Sequence, residues 1–201
     1  MRGKFIVFEG GDGAGKDTQI ELLKGVVSLD EYVFVKDPRS TDAGVRLREV
    51  VLHSEHIGYV AELMTFLAAR AQLVEELIIP ALAVGKNVVA NRFDLSTIAY
   101  QIYGRERKDM LPFIQEAMKV VLQGIQPDIV ILLDVPPVVG LERAATVNDT
   151  DRFEEEKASF HERVREGYLK HAGNYPVHCI IDATLSREEV HRQVTDALGI
   201  R

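Results

Sequence analysis

The sequence has little cysteine, no long apolar run and no excess of positive charge. Each of these features argues against one class of protein. Cys179 is the single cysteine of the 201-residue chain, so it can form no intrachain disulfide, and we expect a reducing, cytoplasmic setting. No apolar run is long enough to cross a membrane, and no signal peptide is expected before the first apolar strand. A net charge of −7 argues against a general nucleic-acid binder, although it permits a local basic pocket.

Low-complexity segments, internal repeats and linkers are also absent, which predicts one domain over residues 1–201 with a sizeable core. Strand-like and helix-like stretches alternate, and this order predicts an α/β fold with a parallel sheet between helices. The predicted strands are Lys4–Glu9, Tyr32–Lys36, Asn87–Asn91, Asp128–Asp134 and Val177–Asp182. The predicted helices are about Lys16–Ser28, Ala43–Leu52, Gly58–Val84 (kinked or restarted at Pro80), Lys108–Gln123, Val138–Ala145, Arg152–Ala172 and Ser186–Leu198.

The most informative motif follows the first predicted strand, in the run FIVFEGGDGAGKDT from Phe5 to Thr18. Gly10, Gly15 and Lys16 have the GxxxxGK spacing of a phosphate-binding loop, between an apolar strand and a helical pattern. Glycines let consecutive backbone N–H groups point inward, and the helix N-terminus adds partial positive charge. The motif therefore predicts a nucleotide-binding loop from which Lys16 reaches the outer phosphates.

Charged and polar residues also follow the second and third predicted strands. The second strand runs into KDPRST at residues 36–41, and the third runs into NRFD at residues 91–94. Ligands of open parallel sheets bind beyond the carboxyl ends of the strands, so these groups are expected to gather where the phosphate loop points. Any one of them alone could instead be a solvated surface residue.

Over nearly the whole chain these segments resemble, in order, the thymidylate kinases of the phosphate-loop nucleoside monophosphate kinase class. The resemblance rests on FIVFEGGDGAGKDTQ, KDPRST, FLAARAQLVEELIIPAL, NRFDLSTIAYQ, PDIVILLDVPPVVGLERA and DRFEEE. It implies a P-loop NTPase fold, with a five-stranded parallel sheet flanked by helices and a short lid at about residues 143–153. It also implies transfer of the γ-phosphoryl group of ATP to dTMP, with Mg²⁺ as cofactor.

The resemblance further implies a homodimer, with no nucleic-acid or membrane partner. The long apolar helices predicted at 58–84 and 108–123 could supply the dimer interface, or they could equally be core. Two alternatives to a dTMP kinase stay open. One is a kinase for another or a modified deoxypyrimidine monophosphate, and the other is a nucleotide-binding module without catalysis.

On the donor side, the resemblance implies a set of residues around ATP: Gly10, Gly11, Asp12, Gly13, Ala14, Gly15, Lys16, Asp17, Thr18 and Arg143. Members of this family carry an arginine either in the loop or in the lid. Because Gly13 and its neighbours leave this loop without an arginine, the lid is expected to supply it, from Arg152 first and Arg143 second. Arg152 could instead pair with the acidic cluster at 154–156. The predicted catalytic residues are Lys16, Arg92, Arg152 and Asp12.

On the acceptor side, the predicted dTMP-binding residues are Asp37, Arg39, Arg48, Phe66, Arg70, Arg92, Ser96, Thr97, Tyr100 and Gln101. Arg92 and Arg39 are expected to bind the phosphate, since the planar guanidinium contacts phosphate oxygens bidentately. Arg48 is the next candidate, or else a solvated residue on its helix.

Phe66 and Arg70 are spaced i, i+4 and so lie on one helical face. The resemblance implies that Phe66 stacks on the pyrimidine and that Arg70 bonds its exocyclic oxygen, although Phe66 could be ordinary core. It also implies that Thr97 or Gln101 reads the base edge and that Tyr100 packs against the deoxyribose. A hydroxyl-bearing helix surface is the alternative for this segment.

Two positions depart from the family pattern, and both bear on the metal. Asp17 stands where a hydroxyl residue usually follows the loop lysine, and Asn91 replaces the usual aspartate before Arg92. Asp17 could compensate for Asn91 by supplying a Mg²⁺-binding carboxylate from another strand end, or the change could be drift. Asp17 and Asp37 are the predicted metal contacts, while Glu9 and Asp12 are further candidates for holding metal-bound waters.

Overall fold

The structure is a computed structural model that describes residues 2–146, 153 and 156–200. The predicted Arg152 and most of the predicted lid lie outside the described residues. The sheet has five strands, all parallel, in the order β2-β3-β1-β4-β5. The strands are β1 Phe5–Glu9, β2 Tyr32–Lys36, β3 Asn87–Asn91, β4 Ile129–Asp134 and β5 His178–Asp182. The α/β class and the five-stranded parallel sheet are as predicted.

Helices connect and cover these strands. The α-helices are α1 Lys16–Lys24, α2 Asp42–His53, α3 Tyr59–Leu73, α4 Ile79–Ala83, α5 Asp94–Thr97, α6 Leu111–Leu122, α7 Pro137–Ala144, α8 Ala158–His171 and α9 Arg187–Leu198. Two π-helical segments, Val74–Ile78 and Ile98–Gly104, and two 3₁₀ turns, Lys108–Met110 and Ala172–Asn174, complete the described elements. Among the described residues, no helix combines the length and the apolar character needed to cross a membrane.

Apolar side chains of the central strands alternate between two cores, one on each face of the sheet. In β1, Phe5 and Val7 belong to the larger core, while Ile6 and Phe8 belong to the smaller one. Successive side chains of a strand point to opposite faces, so a continuous apolar run fits a strand that is covered on both sides. This explains why the run at residues 5–8 reads as a buried central strand.

The predicted helix over 58–84 is not one regular helix. It is α3, a π-helical segment and α4, with Pro80 in the first turn of α4. Proline lacks the N–H that would bond to the carbonyl four residues earlier, and its ring crowds that carbonyl, so the wider π turn accommodates it. The predicted kink or restart at Pro80 is therefore a π-helical interruption followed by a new α-helix. The helix predicted from Arg152 begins at Ala158 instead, with Lys157 as the residue before its first turn.

Parallel pairing brings the carboxyl ends of the first three strands side by side. Asn91 pairs in register with Phe8 of β1 on one side and with Lys36 of β2 on the other. The residues that follow these strands therefore share one edge of the sheet. The phosphate-loop motif follows β1 directly, so this edge holds the candidate site.

Candidate active site

The loop between β1 and α1 has the backbone that its glycines predict. Gly10, Gly13 and Gly15 have φ values of 146°, 67° and 86°, which side chains with a Cβ rarely adopt. A Cβ on Gly13 would also lie 1.8 Å from the carbonyl oxygen of Gly140 in α7. The loop is therefore packed closely against α7, and α1 begins directly after it with its N-terminal N–H groups beside the loop.

Lys16 lies at the start of α1 with only 6% of its surface exposed. Its Nζ donates to the carbonyl oxygens of Gly10 and Gly11 at 2.8 and 2.7 Å. Burial, together with the nearby charge of Arg92, lowers the pKa of Lys16 to about 7. Two neutral carbonyl acceptors thus hold the lysine over the loop. A polyphosphate bound by the loop would favour the charged form of the lysine.

Arg92 joins the loop to the neighbouring strand end. Its Nη2 donates to Asp12 Oδ1 at 2.6 Å, and its Nη1 donates to the Gly10 carbonyl at 3.0 Å. The hydroxyl of Tyr100 donates to the other oxygen of Asp12 at 2.6 Å. Although burial works to raise the pKa of Asp12, Arg92 and Lys16 together lower it. Asp12 is therefore an ionised anchor for Arg92.

Buried residues behind Arg92 fix the turn that presents it. Glu9 accepts from the backbone N–H groups of Phe93 and Ser96 at 2.9 and 3.1 Å, and from Ser96 Oγ at 2.6 Å. Ser96 Oγ also shares a 2.7 Å hydrogen bond with the hydroxyl of Tyr168 in α8, which accepts from Arg92 at 2.9 Å. The network holds a non-glycine residue, Arg92, at a φ of 67°.

A cleft that is partly open to solvent lies beside Arg92. It is lined by all ten predicted acceptor residues and by five others: Asp37, Arg39, Arg48, Phe66, Arg70, Arg92, Ser96, Thr97, Tyr100, Gln101, Asp12, Lys36, Pro38, Leu52 and Phe153. Its walls thus combine aromatic rings with cationic side chains. That combination suits a small anionic ligand that carries an aromatic ring.

Arg70 is held rigidly at the inner end of the cleft. Its Nε donates to Asp37 Oδ2 at 2.6 Å, its Nη1 to Thr97 Oγ1 at 2.6 Å and its Nη2 to the Phe93 carbonyl at 2.9 Å. Arg70 and Asp37 are both buried, so each needs the other as a partner. These contacts fix the plane of the guanidinium against the cleft.

Comparison with known proteins agrees with this geometry. A family model for thymidylate kinase matches residues 8–194. The chain is 40% identical to a thymidylate kinase of Kosmotoga olearia, over 94% of this chain and 92% of that protein. It is also 40% identical to one of Pseudoalteromonas translucida, over 98% of this chain and 96% of that protein. The chain belongs to the thymidylate kinase family. A crystal structure of thymidylate kinase from Ehrlichia chaffeensis superposes with a TM-score of 0.77 at 28% identity, covering 98% and 99% of the two chains.

Within this thymidylate kinase fold, the predicted donor residues are distributed around the loop. Residues 10–16 form it, and Asp17 and Thr18 lie exposed in the first turn of α1. The exposed Arg143 lies at the end of α7, where its Nη1 donates to the carbonyl of Ala183 after β5, at 2.7 Å. Arg152 lies outside the described residues, so its catalytic role stays a prediction.

Asn91 and Asp17, the two positions predicted to depart from the family pattern, are in contact. Asn91 Nδ2 donates to Asp17 Oδ1 at 2.9 Å, and Lys36 Nζ donates to the same oxygen at 2.6 Å. Burial tends to raise the pKa of Asp17, but the hydrogen bond and charge of Lys36 outweigh it and lower the pKa. Among the described residues, the buried Oδ1 of Asn91 has no hydrogen-bond partner.

Three residues of the site have no role predicted from the sequence. Phe153 packs its ring 6.0 Å from the rings of Phe66 and Tyr100, although it lies far from both in the chain. Tyr168 reaches Arg92 from α8, and Lys36 lines the cleft from the end of β2. Lys36 stood in the predicted strand-end cluster and Phe153 in the DRFEEE segment of the resemblance, whereas no local pattern points to Tyr168.

Proposed function

We propose that this protein transfers the γ-phosphoryl group of ATP to dTMP, giving dTDP and ADP. The observation that carries the proposal is the position of Arg92, which contacts a carbonyl of the phosphate loop and also lines the acceptor cleft. A fixed cation at the boundary between donor and acceptor suits a reaction in which a phosphoryl group passes between two polyanions. Membership of the thymidylate kinase family supports the same assignment.

On the donor side, we expect the backbone N–H groups of the loop and the N-terminus of α1 to bind the β-phosphate. Lys16 would exchange its two carbonyl acceptors for phosphate oxygens and bridge toward the transferred group. The acceptor phosphate is already ionised near neutral pH, so little general-base work is required. Asp12 therefore acts in this proposal by orienting Arg92, through the ion pair at 2.6 Å.

On the acceptor side, we expect Arg92, Arg39 and Arg48 to surround the phosphate of dTMP. Arg39 is exposed and Arg48 partly buried where they line the cleft. The pyrimidine would then lie against Phe66, with the fixed guanidinium of Arg70 donating to its exocyclic oxygen. Tyr100, with its hydroxyl tied to Asp12 and Arg92, would pack against the deoxyribose.

Mg²⁺ is part of this proposal. Among the described residues, no group of three or more His, Cys, Asp or Glu side chains could hold a metal ion alone. Mg²⁺ keeps several waters and binds through one or two carboxylates together with substrate phosphates. Asp17 supplies a hard oxygen next to the loop, and so does Asn91 Oδ1, which has no hydrogen-bond partner within the described part of the chain, so the donor set fits. The bound ion would neutralise phosphate charge.

Asp37 is the weaker of the two predicted metal contacts. Its Oδ2 forms the buried ion pair with Arg70, and a metal ligand there would compete with that guanidinium. We therefore assign the carboxylate contact with the metal to Asp17, directly or through a bound water. Asp37 has a separate task in this proposal, which is to position Arg70 for the base.

We also propose that the protein forms a homodimer. The neighbouring helices α2, α3 and α6 expose large apolar side chains, namely Val45, Val50, Val60, Met64, Phe113 and Val120. Such side chains suit a surface that a second copy covers. Light scattering during gel filtration gives the molar mass directly, and a mass of one chain over micromolar concentrations contradicts the dimer.

A cytoplasmic location remains a prediction that cell fractionation would test.

A panel of acceptors tests the proposed activity. Purified protein with ATP and Mg²⁺ is assayed for ADP formation with dTMP, dUMP, dCMP, dAMP and dGMP. The proposal predicts the highest kcat/KM for dTMP. If dUMP or a 5-modified analogue exceeds dTMP severalfold, the protein is a kinase for another pyrimidine monophosphate. If no monophosphate supports ADP formation although ATP binds, the protein is a non-catalytic nucleotide-binding module.

A further inference from the structure

Behind the acceptor cleft, a buried carboxylate determines which way one amide faces. Gln101 lines the cleft, and its Nε2 donates to Glu62 Oε1 at 3.2 Å. Glu62 is only 2% exposed. An ionised carboxylate can only accept hydrogen bonds, so Gln101 must turn its NH₂ group toward Glu62. The remaining polar atom of the Gln101 side chain is Oε1, which is an acceptor only.

Arg105 forms an ion pair with Glu62. Its Nε and Nη2 donate to the two oxygens of Glu62 at 3.3 and 3.0 Å, and its Nη1 donates to Glu156. The guanidinium also lies over the rings of Phe153 and Phe160, at 5.4 and 5.2 Å from their centroids. A carboxylate that pairs with a guanidinium has only acceptor atoms to offer to Gln101. The ion pair thus keeps Glu62 a pure acceptor.

Arg70 presents the opposite polarity in the same cleft. A guanidinium has no acceptor, and this one is fixed by Asp37, Thr97 and the Phe93 carbonyl. The cleft therefore combines a fixed donor, Arg70, with an amide whose oxygen is the group available to accept. Thymine and uracil match this pair with the O4 acceptor and the N3–H donor. Cytosine has an amino donor at C4 and an acceptor at N3, so it mismatches both.

We propose that Glu62, held by Arg105, is a positioning residue that makes the enzyme select N3–H pyrimidines over cytosine. This inference rests on the proposed function and extends it to the residue that sets base polarity. A site with fixed polarity rejects the wrong base because its buried polar groups are left unpaired. With glutamine at position 62, the side chain can donate as well as accept. Gln101 can then turn over and offer its NH₂ group to cytosine.

The test compares kcat/KM for dTMP, dUMP and dCMP in the wild type, in Glu62→Gln and in Glu156→Gln. Both variants remove one carboxylate partner of Arg105, but only Glu62 contacts Gln101. In Glu62→Gln we expect the dTMP/dCMP ratio to fall by roughly tenfold or more, since a polar mismatch is relieved. The dTMP/dUMP ratio should stay within about twofold in that variant, because both bases carry N3–H. Glu156→Gln should keep both ratios.

A folded Glu62→Gln enzyme with an unchanged dTMP/dCMP ratio overturns the inference. A fall of that ratio in Glu156→Gln equal to the fall in Glu62→Gln also overturns it. If Glu62→Gln fails to fold, the double variant Glu62→Gln with Arg105→Gln replaces the ion pair by a neutral pair of similar size. The dTMP/dCMP and dTMP/dUMP ratios of this double variant then test the inference. A wild-type protein that prefers dTMP, with variants that keep its selectivity, contradicts this inference alone. A wild-type protein without dTMP kinase activity contradicts the proposed function as well.

Discussion

The side-chain amide of Asn91 donates to the carboxylate of Asp17 at 2.9 Å, so the two residues that depart from the family pattern touch each other. Lys36 donates to the same oxygen, and the carboxylate therefore ties the start of α1 to the ends of β2 and β3. Residues in one hydrogen-bonded cluster rarely act independently. This contact gives the compensation hypothesis a physical basis and makes it measurable.

A double-mutant cycle tests that coupling. Asn91→Asp alone places a second carboxylate against Asp17, and Asp17→Thr alone removes the carboxylate, so each is expected to lower kcat/KM by roughly tenfold. Asp17→Thr with Asn91→Asp restores one carboxylate and one hydroxyl, and should recover much of the loss. The expected coupling is about 0.5–3 kcal/mol, measured from kcat/KM at saturating Mg²⁺. Additive losses would show that Asp17 does not compensate for Asn91.

Nucleotide binding should take up a proton through Lys16. Burial and Arg92 lower the pKa of Lys16 to about 7, so at about pH 8 the amine is mostly neutral in the unliganded protein. Phosphates raise that pKa, so binding Mg·ADP should take up most of one proton at about pH 8 and far less at about pH 6, where the amine is already charged. Calorimetry in two buffers with different ionisation enthalpies measures the uptake. Lys16→Arg, which stays charged, should abolish it, and an uptake independent of pH would contradict the assignment.

Arg92→Lys should lose activity although it keeps the charge. A lysine cannot contact Asp12, Tyr100 and the loop carbonyl together, as the fork of Arg92 does. We expect kcat to fall by about 10²–10³, the range seen when one preorganised donor is removed. The matched control is Arg163→Lys, because Arg163 donates to the Gly104 carbonyl at 2.9 Å and does not line the cleft. A kcat of Arg92→Lys within fivefold of the wild-type value would contradict the proposed role of Arg92 in phosphoryl transfer.

The strands could be predicted closely from the sequence, because buried parallel strands leave continuous apolar runs. β2 and β3 have the predicted bounds, and β1, β4 and β5 each begin one residue later than predicted. The interruption over Val74–Ile78 was predictable only as a kink or a restart, since proline shows where a helix must change but not how. α8 begins later than predicted, after an acidic stretch that has no apolar stripe.

Gly140→Ala should disturb the phosphate loop from outside it. A Cβ on Gly140 would lie 2.4 Å from the Asp12 carbonyl oxygen, so α7 or the loop has to move. We expect a loss of about 1–3 kcal/mol of unfolding free energy, together with a raised KM for ATP. Gly173→Ala is the control, since its Cβ would meet nothing within 4 Å and should change stability by less than about 0.5 kcal/mol. Equal stability and equal KM for the two variants would contradict close packing of α7 on the loop.

The acceptor residues were predictable because the signals for them are local. Arg92 and Asp37 follow strand ends, and Phe66 and Arg70 have helical spacing, so topology brings them to one cleft. The residues that position them were not predictable in this way. Glu62 and Arg105 are 43 positions apart in the chain, and no periodicity shows that they meet. Their pairing depends on how the helices pack.

Phosphoryl transfer from ATP to dTMP is the central claim. Its most direct test is to follow the γ-phosphoryl group of labelled ATP. With γ-labelled ATP, Mg²⁺ and dTMP, we predict that the label appears in dTDP, one phosphoryl group for each ADP formed. Lys16→Met and Arg92→Lys should each slow that transfer strongly. Label released as inorganic phosphate, or no label in dTDP while ATP binds, would contradict the account.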